Sequence, residues 1–304
     1  MKILVTGGAG FIGSHVADLL VNTDYEVCII DNLSSGKKEN VNKSAKFYQN
    51  DLSDFKKIEE IIENERPEAI YHLAAHIDVR KSLENPIFDA NMNIVNSLNL
   101  LELSSKYNVG KFIFSSTGGA IYENGGKMPS EENDKELPES PYGCSKLAVE
   151  KYLNYYHKVH GLEYTILRYS NVFGPRQNAK GEAGVISIFL DKMMEGKHPT
   201  IFGGEQTRDF VYVEDVAIAN LLALKDSKCS TYNVSTAKET SINQLFEKVN
   251  SLFDNKFKPV YSAAKKGEVF RSCMSHDKIE KELGWRPNTS LDDGLMLIYA
   301  SLMK

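Results

Sequence analysis

Short apolar, β-branched runs recur along the first part of the chain, and segments of helical length separate them. The runs are KILVT from residue 2, YEVCIID from 25, AKFYQ from 45, AIYHLA from 69, KFIFSS from 111 and YTILRY from 164. Two of the separating amphipathic segments are FIGSHVADLLV from residue 11 and the stretch from Asn85 to Tyr107. Strands that alternate with helices form parallel sheets with helices on both faces. The pattern therefore predicts an α/β, doubly wound, Rossmann-type fold.

The alternation ends after Arg168, where loops that contain glycine and proline begin: NVFGPRQNAKGEAG and EGKHPTIFGGEQTRDF. A helix is predicted between these loops, from Val185 to Met194. We predict that this second part forms a smaller, mixed α/β region. The predicted domains are a Rossmann domain over residues 1–170, with returning segments over roughly 209–238 and 271–278, and the smaller region over residues 171–304.

Composition narrows the possible functions. With 304 residues, 42% of them hydrophobic, the chain can bury a large core. Its net charge of −5 is spread along the sequence without a basic run, which disfavours nucleic acid as a partner. The four cysteines show no C-x-x-C spacing, so neither a disulfide framework nor a zinc site is expected. No apolar run approaches the ~18 residues of a membrane span, and we expect a cytoplasmic protein without membrane or metal partners.

The motif TGGAGFIG, residues 6–13, follows the first predicted strand and opens the first predicted helix. Its glycines are Gly7, Gly8, Gly10 and Gly13. Glycines in this context allow a tight turn and let backbone amides approach a pyrophosphate. The second predicted strand ends at Asp31, near the spacing of a ribose-binding carboxylate. A carboxylate accepts hydrogen bonds from a ribose diol and repels a 2′-phosphate. We therefore predict NAD as the cofactor and not NADP. Lys37 and Lys38 oppose this prediction, because they are near enough in sequence to reach a 2′-phosphate.

The segment SPYGCSKLAVEKY, residues 140–152, places Tyr142 and Lys146 four residues apart near the start of a predicted helix. Residues with this spacing share one helix face. A nicotinamide cofactor that oxidises a carbinol needs a group to take the hydroxyl proton, and a nearby ammonium lowers the pKa of a phenol. We therefore predict an acid–base pair. The alternative is that Tyr142 packs in the core and Lys146 is a surface charge.

The segment SSTGG, residues 115–119, follows the predicted strand KFIF, so its hydroxyl groups lie at the carboxyl end of a strand. Open α/β sheets bind ligands at these ends. Either Ser116 or Thr117 is therefore a candidate to hydrogen-bond the reacting oxygen, and an ordinary polar turn is the alternative.

Several of these motifs occur together in one known family. TGGAGFIG, DNLSSG, HLAA from residue 72, NIVNSLNLLE from 93, FSST and SPYGCSK follow one another as in the extended short-chain dehydrogenases/reductases. Within that family the chain most resembles the UDP-glucose (UDP-galactose) 4-epimerases. In the second half, RYSNVFGPRQ, TRDFVYVEDVA and LGWRP resemble the segments that bind the nucleotide sugar in that group.

The resemblance implies a role for each matching residue. Tyr142 is implied as the base, Lys146 as its electrostatic partner and a ligand of the NAD ribose, and Thr117 as the hydroxyl bonded to the substrate. Ser116 remains an alternative to Thr117, because SSTGGAIY carries one residue more than the usual turn. The implied cofactor-binding residues are Gly7, Gly10, Phe11, Ile12, Gly13, Asp31, Asn32, Asp51, Leu52, Leu73, Ala74, Ala75, Asn93, Ser115, Tyr142 and Lys146.

On the substrate side, the resemblance implies that Asn171 contacts the diphosphate and that Arg208 binds a phosphate. The alternatives are a turn asparagine and a surface ion pair between Arg208 and Asp209. The R-x-G-D segment of the family is KKGE here, so Lys265 and Glu268 stand at the arginine and aspartate positions. Lysine keeps the charge of arginine but not its two-pronged hydrogen bonding.

Ser272, four residues after Glu268, matches the residue that faces the C2 substituent of the sugar. A small residue there leaves room for an N-acetyl group, which implies activity on UDP-N-acetylhexosamines as well as UDP-glucose. The alternative is that Ser272 is simply a small strand residue.

The implied activity is interconversion of UDP-glucose and UDP-galactose through a 4-keto intermediate. Dehydratases of the group carry an Asp-Glu pair after the threonine and decarboxylases tend to carry a glutamate, whereas this chain has Gly118 and Gly119. Another NAD-dependent nucleotide-sugar enzyme and a non-catalytic NAD-binding sensor are the alternatives.

The family also implies a homodimer that is held together by a four-helix bundle of the segments Asn91–Tyr107 and Tyr142–His160. The alternative is that the faces of these two segments only cover the sheet.

Overall fold

The computed structural model describes residues 1–178, 184–226, 228–264 and 269–303. Seven parallel strands form its large sheet: β1 (Lys2–Thr6), β2 (Glu26–Asp31), β3 (Lys46–Gln49), β4 (Ala69–His72), β5 (Lys111–Thr117), β6 (Glu163–Tyr169) and β10 (Thr231–Val234). Their order across the sheet is β3-β2-β1-β4-β5-β6-β10. Most of their residues are buried, as expected for parallel strands covered on both faces. The predicted doubly wound fold is confirmed.

Helices cover both faces of this sheet. One face is packed by α1 (Phe11–Asn22) and α8 (Val213–Ala223). The other face is packed by α2 (Phe55–Glu65), α5 (Asn96–Lys106) and α6 (Pro141–His160). Alternate strand residues point to opposite faces, so the two apolar cores are separate. Among the described residues, no helix combines the length and the apolar composition that a membrane crossing requires.

The predicted helical stretch from Asn85 to Tyr107 is helical but not uniform. Two short helices, α3 (Val79–Glu84) and α4 (Pro86–Ala90), lead into a π-helical turn over Asn91–Val95, and α5 follows. Single π-helical turns are frequent at functional sites. This turn lies beside the end of β4. Because a π-helical turn contains more residues than an α-helical turn, it alters which side chains of the segment Asn85–Tyr107 face the end of β4.

A smaller mixed region follows β6. Its central strand, β9 (Thr207–Tyr212), pairs with three others: β7 (Asn171–Phe173), β11 (Glu239–Ser241) and β13 (Arg271–Ser272). The remaining elements are β8 (Thr200–Phe202), β12 (Val260–Ser262), α7 (Val185–Met194), α9 (Ile242–Ser251), α10 (Asp277–Leu283) and α11 (Leu291–Leu302). Packing among α7, α9, α11 and β9 gives this region its own apolar core.

The strand order reverses between β1 and β4, which are neighbours in the sheet. At such a switch point the loops after the two strands leave in opposite directions and open a crevice at the carboxyl ends of the strands. Helix α8 and strand β10, both after residue 209, lie with the large sheet, whereas β13 pairs with β9 of the smaller one. The domain boundaries drawn from the sequence remain a prediction.

Candidate active site

A groove with about 850 Å³ of open space runs along the carboxyl ends of the strands of the large sheet. Most of the predicted cofactor residues line it. They are Gly7, Gly10, Phe11, Ile12, Gly13, Asp31, Asn32, Asp51, Leu52, Leu73, Ala74, Ala75 and Ser115. Residues from the ends of five different strands, β1 to β5, therefore meet in one groove.

The glycine loop between β1 and α1 fits a pyrophosphate. Gly7 has a φ of +73°, and a Cβ there would lie 2.7 Å from the backbone nitrogen of Ala74. A Cβ on Gly13 would clash with the carbonyl oxygen of Gly7, so α1 begins in close contact with the loop. At Gly10 the groove side is open, because only Gly7 O lies near a Cβ built there, at 3.2 Å. The loop thus offers a backbone cradle at the positive end of a helix.

Asp31 is fixed at the end of β2. Its Oδ2 accepts a 2.9 Å hydrogen bond from Ala9 N, and its Oδ1 accepts one of 2.8 Å from Leu33 N. Each carboxylate oxygen retains a free lone pair, which suits the two hydroxyls of a ribose. Lys37, which would favour a 2′-phosphate, instead pairs with Glu39 at 3.4 Å.

A chain of buried hydrogen bonds holds the strand end from which the groove-lining loop leaves. His72 lies 2.8 Å from Thr6 Oγ1 through Nδ1 and 2.8 Å from Ser97 Oγ through Nε2. Burial, with the nearby Lys146 ammonium, lowers the pKa of His72 to about 3, so the ring is neutral. Because Ser97 donates its own proton to Asn93 O at 2.6 Å, Nε2 must carry the ring proton.

Asn93, predicted to contact the cofactor, is directed elsewhere. Its Oδ1 accepts from His76 N at 2.8 Å, and its Nδ2 donates to His76 O at 2.8 Å and to Asp89 Oδ1 at 3.0 Å. Met92 of the π-helical turn and Asn96, the first residue of α5, line the groove instead. In the structure Asn93 thus holds the loop that lines the groove, and its direct contact with the cofactor stays a prediction.

Tyr142 and Lys146 lie in the first two turns of α6, which Ser140 caps by accepting from Gly143 N. The Lys146 ammonium lies 6.0 Å from the Tyr142 ring centroid and donates to Ser115 O at 2.8 Å. Only 4% of Lys146 is exposed, which rules out the surface-charge alternative. Burial lowers the pKa of this lysine to about 8, against the opposing charges of Asp89 and Glu150.

The two candidate hydroxyls at the end of β5 point in opposite directions. Thr117 lines a second cavity together with Tyr142. Ser116 instead donates to Glu150 Oε1 at 2.5 Å, behind the strand. Successive strand residues alternate between faces, so only one of the two can face Tyr142. This geometry favours the predicted Thr117 over its alternative, Ser116, as the hydroxyl that faces the sugar.

The second cavity has about 1650 Å³ of open space and lies between the large sheet and the smaller region. Its lining includes the predicted residues Thr117, Tyr142, Asn171, Arg208 and Ser272. The Cβ atom of a side chain at Gly119 would lie close to three of these residues. It would lie 3.6 Å from Ser272 Oγ, 3.8 Å from Asn171 Oδ1 and 4.0 Å from Thr117 Oγ1.

The neighbours of Arg208 exclude the surface ion pair considered from the sequence. Asp209 is fully buried and accepts hydrogen bonds from the backbone of Thr236 at 2.9 Å and Ala237 at 3.0 Å.

Ser272 stands directly opposite Arg208 in the β13–β9 register. Ser272 is therefore a small residue of a strand, and it also lines the second cavity. Lys265 and Glu268 lie outside the described residues.

Comparison with known proteins agrees with this geometry. Residues 3–235 match the NAD dependent epimerase/dehydratase family. The chain belongs to this family. A protein of Methanocaldococcus jannaschii, provisionally named a UDP-glucose 4-epimerase, is 48% identical over 294 residues, which cover 96% of this chain and 95% of the relative. The resemblance to UDP-glucose 4-epimerases and the predicted cofactor, NAD, are confirmed.

Solved structures of epimerases superpose on the whole chain. The UDP-glucose 4-epimerase of Thermotoga maritima with UDP-glucose has a TM-score of 0.97 at 47% identity and covers 100% of both chains. The Thermus thermophilus UDP-glucose 4-epimerase in complex with NAD scores 0.94 at 39% identity and covers 100% of this chain and 99% of its own. The Methanobrevibacter ruminantium UDP-N-acetylglucosamine 4-epimerase, with UDP-N-acetylmuramic acid, scores 0.91 at 35% identity and covers 99% of this chain and 98% of its own.

Sequence reasoning missed some residues of this epimerase-family site. In the cofactor groove they are Ser34, Ser35, Asn50, Ile77, Met92 and Asn96. In the second cavity they include Arg80, Leu83, Phe210 and Val269. Those that directly follow a strand, such as Asn50 after β3, could have been found from their position. Arg80 and Leu83 lie on α3, which carries no recognisable motif.

Proposed function

We propose that this chain is an NAD-dependent UDP-sugar 4-epimerase that interconverts UDP-glucose and UDP-galactose. One observation carries the proposal. Tyr142 lines the same cavity as Asn171 and Arg208, while Lys146 behind it is bonded to Ser115, which lines the cofactor groove. The acid–base pair thus stands where a sugar in one cavity would meet a cofactor in the other. The full-length similarity to UDP-glucose 4-epimerases supports the same conclusion.

In the proposed reaction Tyr142 takes the proton of the sugar 4-hydroxyl and later returns it. The buried ammonium of Lys146 stabilises the phenolate, and the Thr117 hydroxyl donates a hydrogen bond to the same sugar oxygen. When bound, NAD accepts hydride from C4 and returns it to the other face of the 4-keto sugar. Asn171 and Arg208 hold the diphosphate throughout, so that the sugar can turn over in the cavity while the nucleotide stays bound.

The residues beside Thr117 favour epimerisation over elimination. Gly118 and Gly119 carry no carboxylate that could remove a second proton from the sugar. A Cβ on Gly118 would clash with the Met274 side chain, so a larger residue would not fit there without movement. A dehydratase or decarboxylase remains the second candidate, and an NAD-binding sensor is disfavoured by the intact Tyr142 and Lys146.

The test is incubation of the purified protein with NAD and UDP-glucose, followed by proton NMR of the sugar products. We expect a mixture of UDP-glucose and UDP-galactose, reached from either side, without accumulation of NADH or release of carbon dioxide. A 4-keto-6-deoxy sugar or a pentose product would instead indicate a dehydratase or a decarboxylase. NAD binding without any sugar product would indicate a sensor.

We further propose that the sugar site accepts UDP-N-acetylglucosamine. Ser272 is a small residue at the predicted C2-facing position, and Gly119 beside it adds no side chain. The similarity to a UDP-N-acetylglucosamine 4-epimerase supports this wider substrate range. Lys265 and Glu268 are proposed to contribute to the nucleotide side of the site on the basis of the resemblance alone.

We propose a homodimer built from the segments Asn91–Tyr107 and Tyr142–His160. Apolar side chains lie exposed along these segments: Val95 is 40% exposed, Tyr152 41%, Tyr155 50% and Val159 58%. Association would bury them in a four-helix bundle. By light scattering we expect the mass of a dimer for the wild-type protein and the mass of a monomer for Tyr155→Glu. A wild-type monomer at micromolar concentration contradicts the proposal.

We also propose that the protein is located in the cytoplasm. This reducing compartment would keep the exposed Cys144 a free thiol.

A further inference from the structure

Asp89, in the last turn of α4, is a fully buried carboxylate close to the proposed acid–base pair. Its Oδ2 accepts a 2.7 Å hydrogen bond from Ser145 Oγ, and its Oδ1 accepts one of 3.0 Å from Asn93 Nδ2. His76, the titratable group that faces Asp89 itself, lies 3.5 Å away through Nδ1. One side chain therefore joins α6, the π-helical turn and the loop after β4.

The groups that Asp89 joins belong to both sides of the site. Ser145 directly precedes Lys146 on α6. His76 directly follows Ala75, which lines the cofactor groove. The amide of Asn93 is bonded to the backbone N–H and C=O of His76, so the loop is held to the same carboxylate through two further hydrogen bonds. Asp89 thus sets the spacing between the helix that carries the acid–base pair and the loop beside the cofactor.

Within the described residues, the ionisable groups that face the Lys146 ammonium are His72 from β4, Asp89 from α4, and Tyr142 and Glu150 from α6. His72 is neutral, and Tyr142 is the proposed proton partner of the ammonium. Asp89 and Glu150 are therefore the two negative charges available to Lys146.

Glu150 is already neutralised by another cation. Arg168 donates to its Oε1 through Nε at 3.0 Å and to its Oε2 through Nη2 at 2.5 Å. Asp89, by contrast, receives its two close hydrogen bonds from a neutral hydroxyl and a neutral amide, and no lysine or arginine of the described chain pairs with it. Of the two carboxylates that act on Lys146, Asp89 is therefore the one whose charge no arginine or lysine of the described residues offsets.

We propose that Asp89 is a positioning residue for the acid–base pair: its buried carboxylate is the counter-charge of the Lys146 ammonium and the tie that sets α6 against the cofactor-side loop. The kinetic part of this inference rests on the proposed epimerase activity. The titration of Lys146 does not, because it is measurable in the absence of substrate.

The first test is a titration of Lys146 by NMR in protein labelled at the lysine ε-carbons, with the resonance assigned by its loss in Lys146→Arg. We expect Asp89→Asn, which keeps the shape but removes the charge, to lower the midpoint by about one pH unit or more. Ser145→Ala is the matched control. It removes the hydrogen bond but keeps the charge, so it should weaken NAD binding several-fold, measured by calorimetry, and leave the midpoint unchanged. An unchanged midpoint in Asp89→Asn overturns the proposal.

The second test uses the pH profile of turnover. In Asp89→Asn the alkaline limb should move to lower pH by the same amount as the midpoint, so that turnover lost at pH 7 is partly regained at pH 6. Loss by the same factor at every pH would show a merely structural role and overturn the counter-charge. If wild-type protein lacks epimerase activity, the proposed function fails, and the NMR titration still decides the role of Asp89.

A third measurement needs no variant of Asp89 and covers the case in which Asp89→Asn does not fold. In wild-type protein labelled at the aspartate γ-carbons, the Asp89 resonance should shift as Lys146 titrates, because the two charges lie close together. The Ser145→Ala variant assigns the resonance, because it removes a direct hydrogen bond. An Asp89 resonance that does not move through the Lys146 midpoint overturns the proposal.

Discussion

The ammonium of Lys146 donates a 2.8 Å hydrogen bond to the carbonyl oxygen of Ser115, so the lysine four residues after Tyr142 is attached to the end of β5. Ser115 lines the cofactor groove, and Thr117, two residues further on the same strand face, lines the substrate cavity. This bond therefore holds α6 against the strand that separates the two cavities.

The first prediction concerns the proposed base. Tyr142→Phe should keep the fold and the NAD content but reduce turnover about 10²-fold or more, because positioned acid–base groups contribute roughly 10²–10⁴-fold. The measurement is kcat for conversion of UDP-galactose, with thermal unfolding as a check of folding. Tyr152→Phe, at an exposed position of the same helix, is the control and should be fully active. Turnover of Tyr142→Phe within a few-fold of wild type would refute the assignment.

The second prediction is a decline of turnover at alkaline pH. The pKa of Lys146 in the folded protein is lowered to about 8, so the ammonium is present below this pH and is lost as the pH rises through it. Turnover that needs the ammonium should fall about tenfold per pH unit above that point. The profile is measured from pH 6 to pH 10, with circular dichroism to confirm that the protein stays folded. A flat profile up to pH 10 contradicts a role for the charge.

The third prediction separates the two ligands. Asp31→Ala should weaken NAD binding strongly and UDP binding little, because Asp31 lines only the cofactor groove. Both affinities are measured by calorimetry on NAD-free protein. The substitution also releases Ala9 N and Leu33 N from their hydrogen bonds, so the melting temperature is recorded alongside. An equal loss of both affinities would point to misfolding instead of a lost ribose contact.

The fourth prediction concerns the effect of Ser272 on substrate specificity. Ser272→Tyr should abolish activity on UDP-N-acetylglucosamine and spare activity on UDP-glucose, because the ring would occupy the space proposed for the acetamido group. The ratio of kcat/KM for the two substrates is the measured quantity. Ser272→Ala, which stays small, is the control and should retain the wild-type ratio. If the tyrosine leaves the ratio unchanged, Ser272 does not face C2.

The fifth prediction tests the neighbouring glycine. A Cβ at Gly119 makes only ordinary contacts of 3.6–4.0 Å with the protein, and Gly119 is not among the glycines with positive φ, so Gly119→Ala should fold normally. Its methyl group would point into the cavity beside Ser272 and should reduce activity on the N-acetylated sugar more than on UDP-glucose. Gly110→Ala, distant from the cavity, is the control. If Gly119→Ala changes the activity on both sugars by the same factor, the acetamido group does not occupy the space beside Gly119 and Ser272.

The sequence alone determined the fold class, the glycine loop and the placement of Tyr142 and Lys146 on one helix face. Each of these depends on short-range spacing. Alternating strands and helices allow few arrangements other than a doubly wound sheet, and the turn between β1 and α1 is fixed by its own glycines. Residues four apart in one helix share a face whatever surrounds the helix.

Only the tertiary structure decided which neighbouring groups complete the site. Ser116 and Thr117 are equivalent as residue types, and the packing of α6 and its Glu150 against one face of β5 decides between them. Ser272 reaches the cavity because β13 pairs with β9 far along the chain. Asp89 meets Ser145 across 56 positions of sequence. Such contacts arise from the packing of whole elements against one another, and no local pattern of residues records that packing.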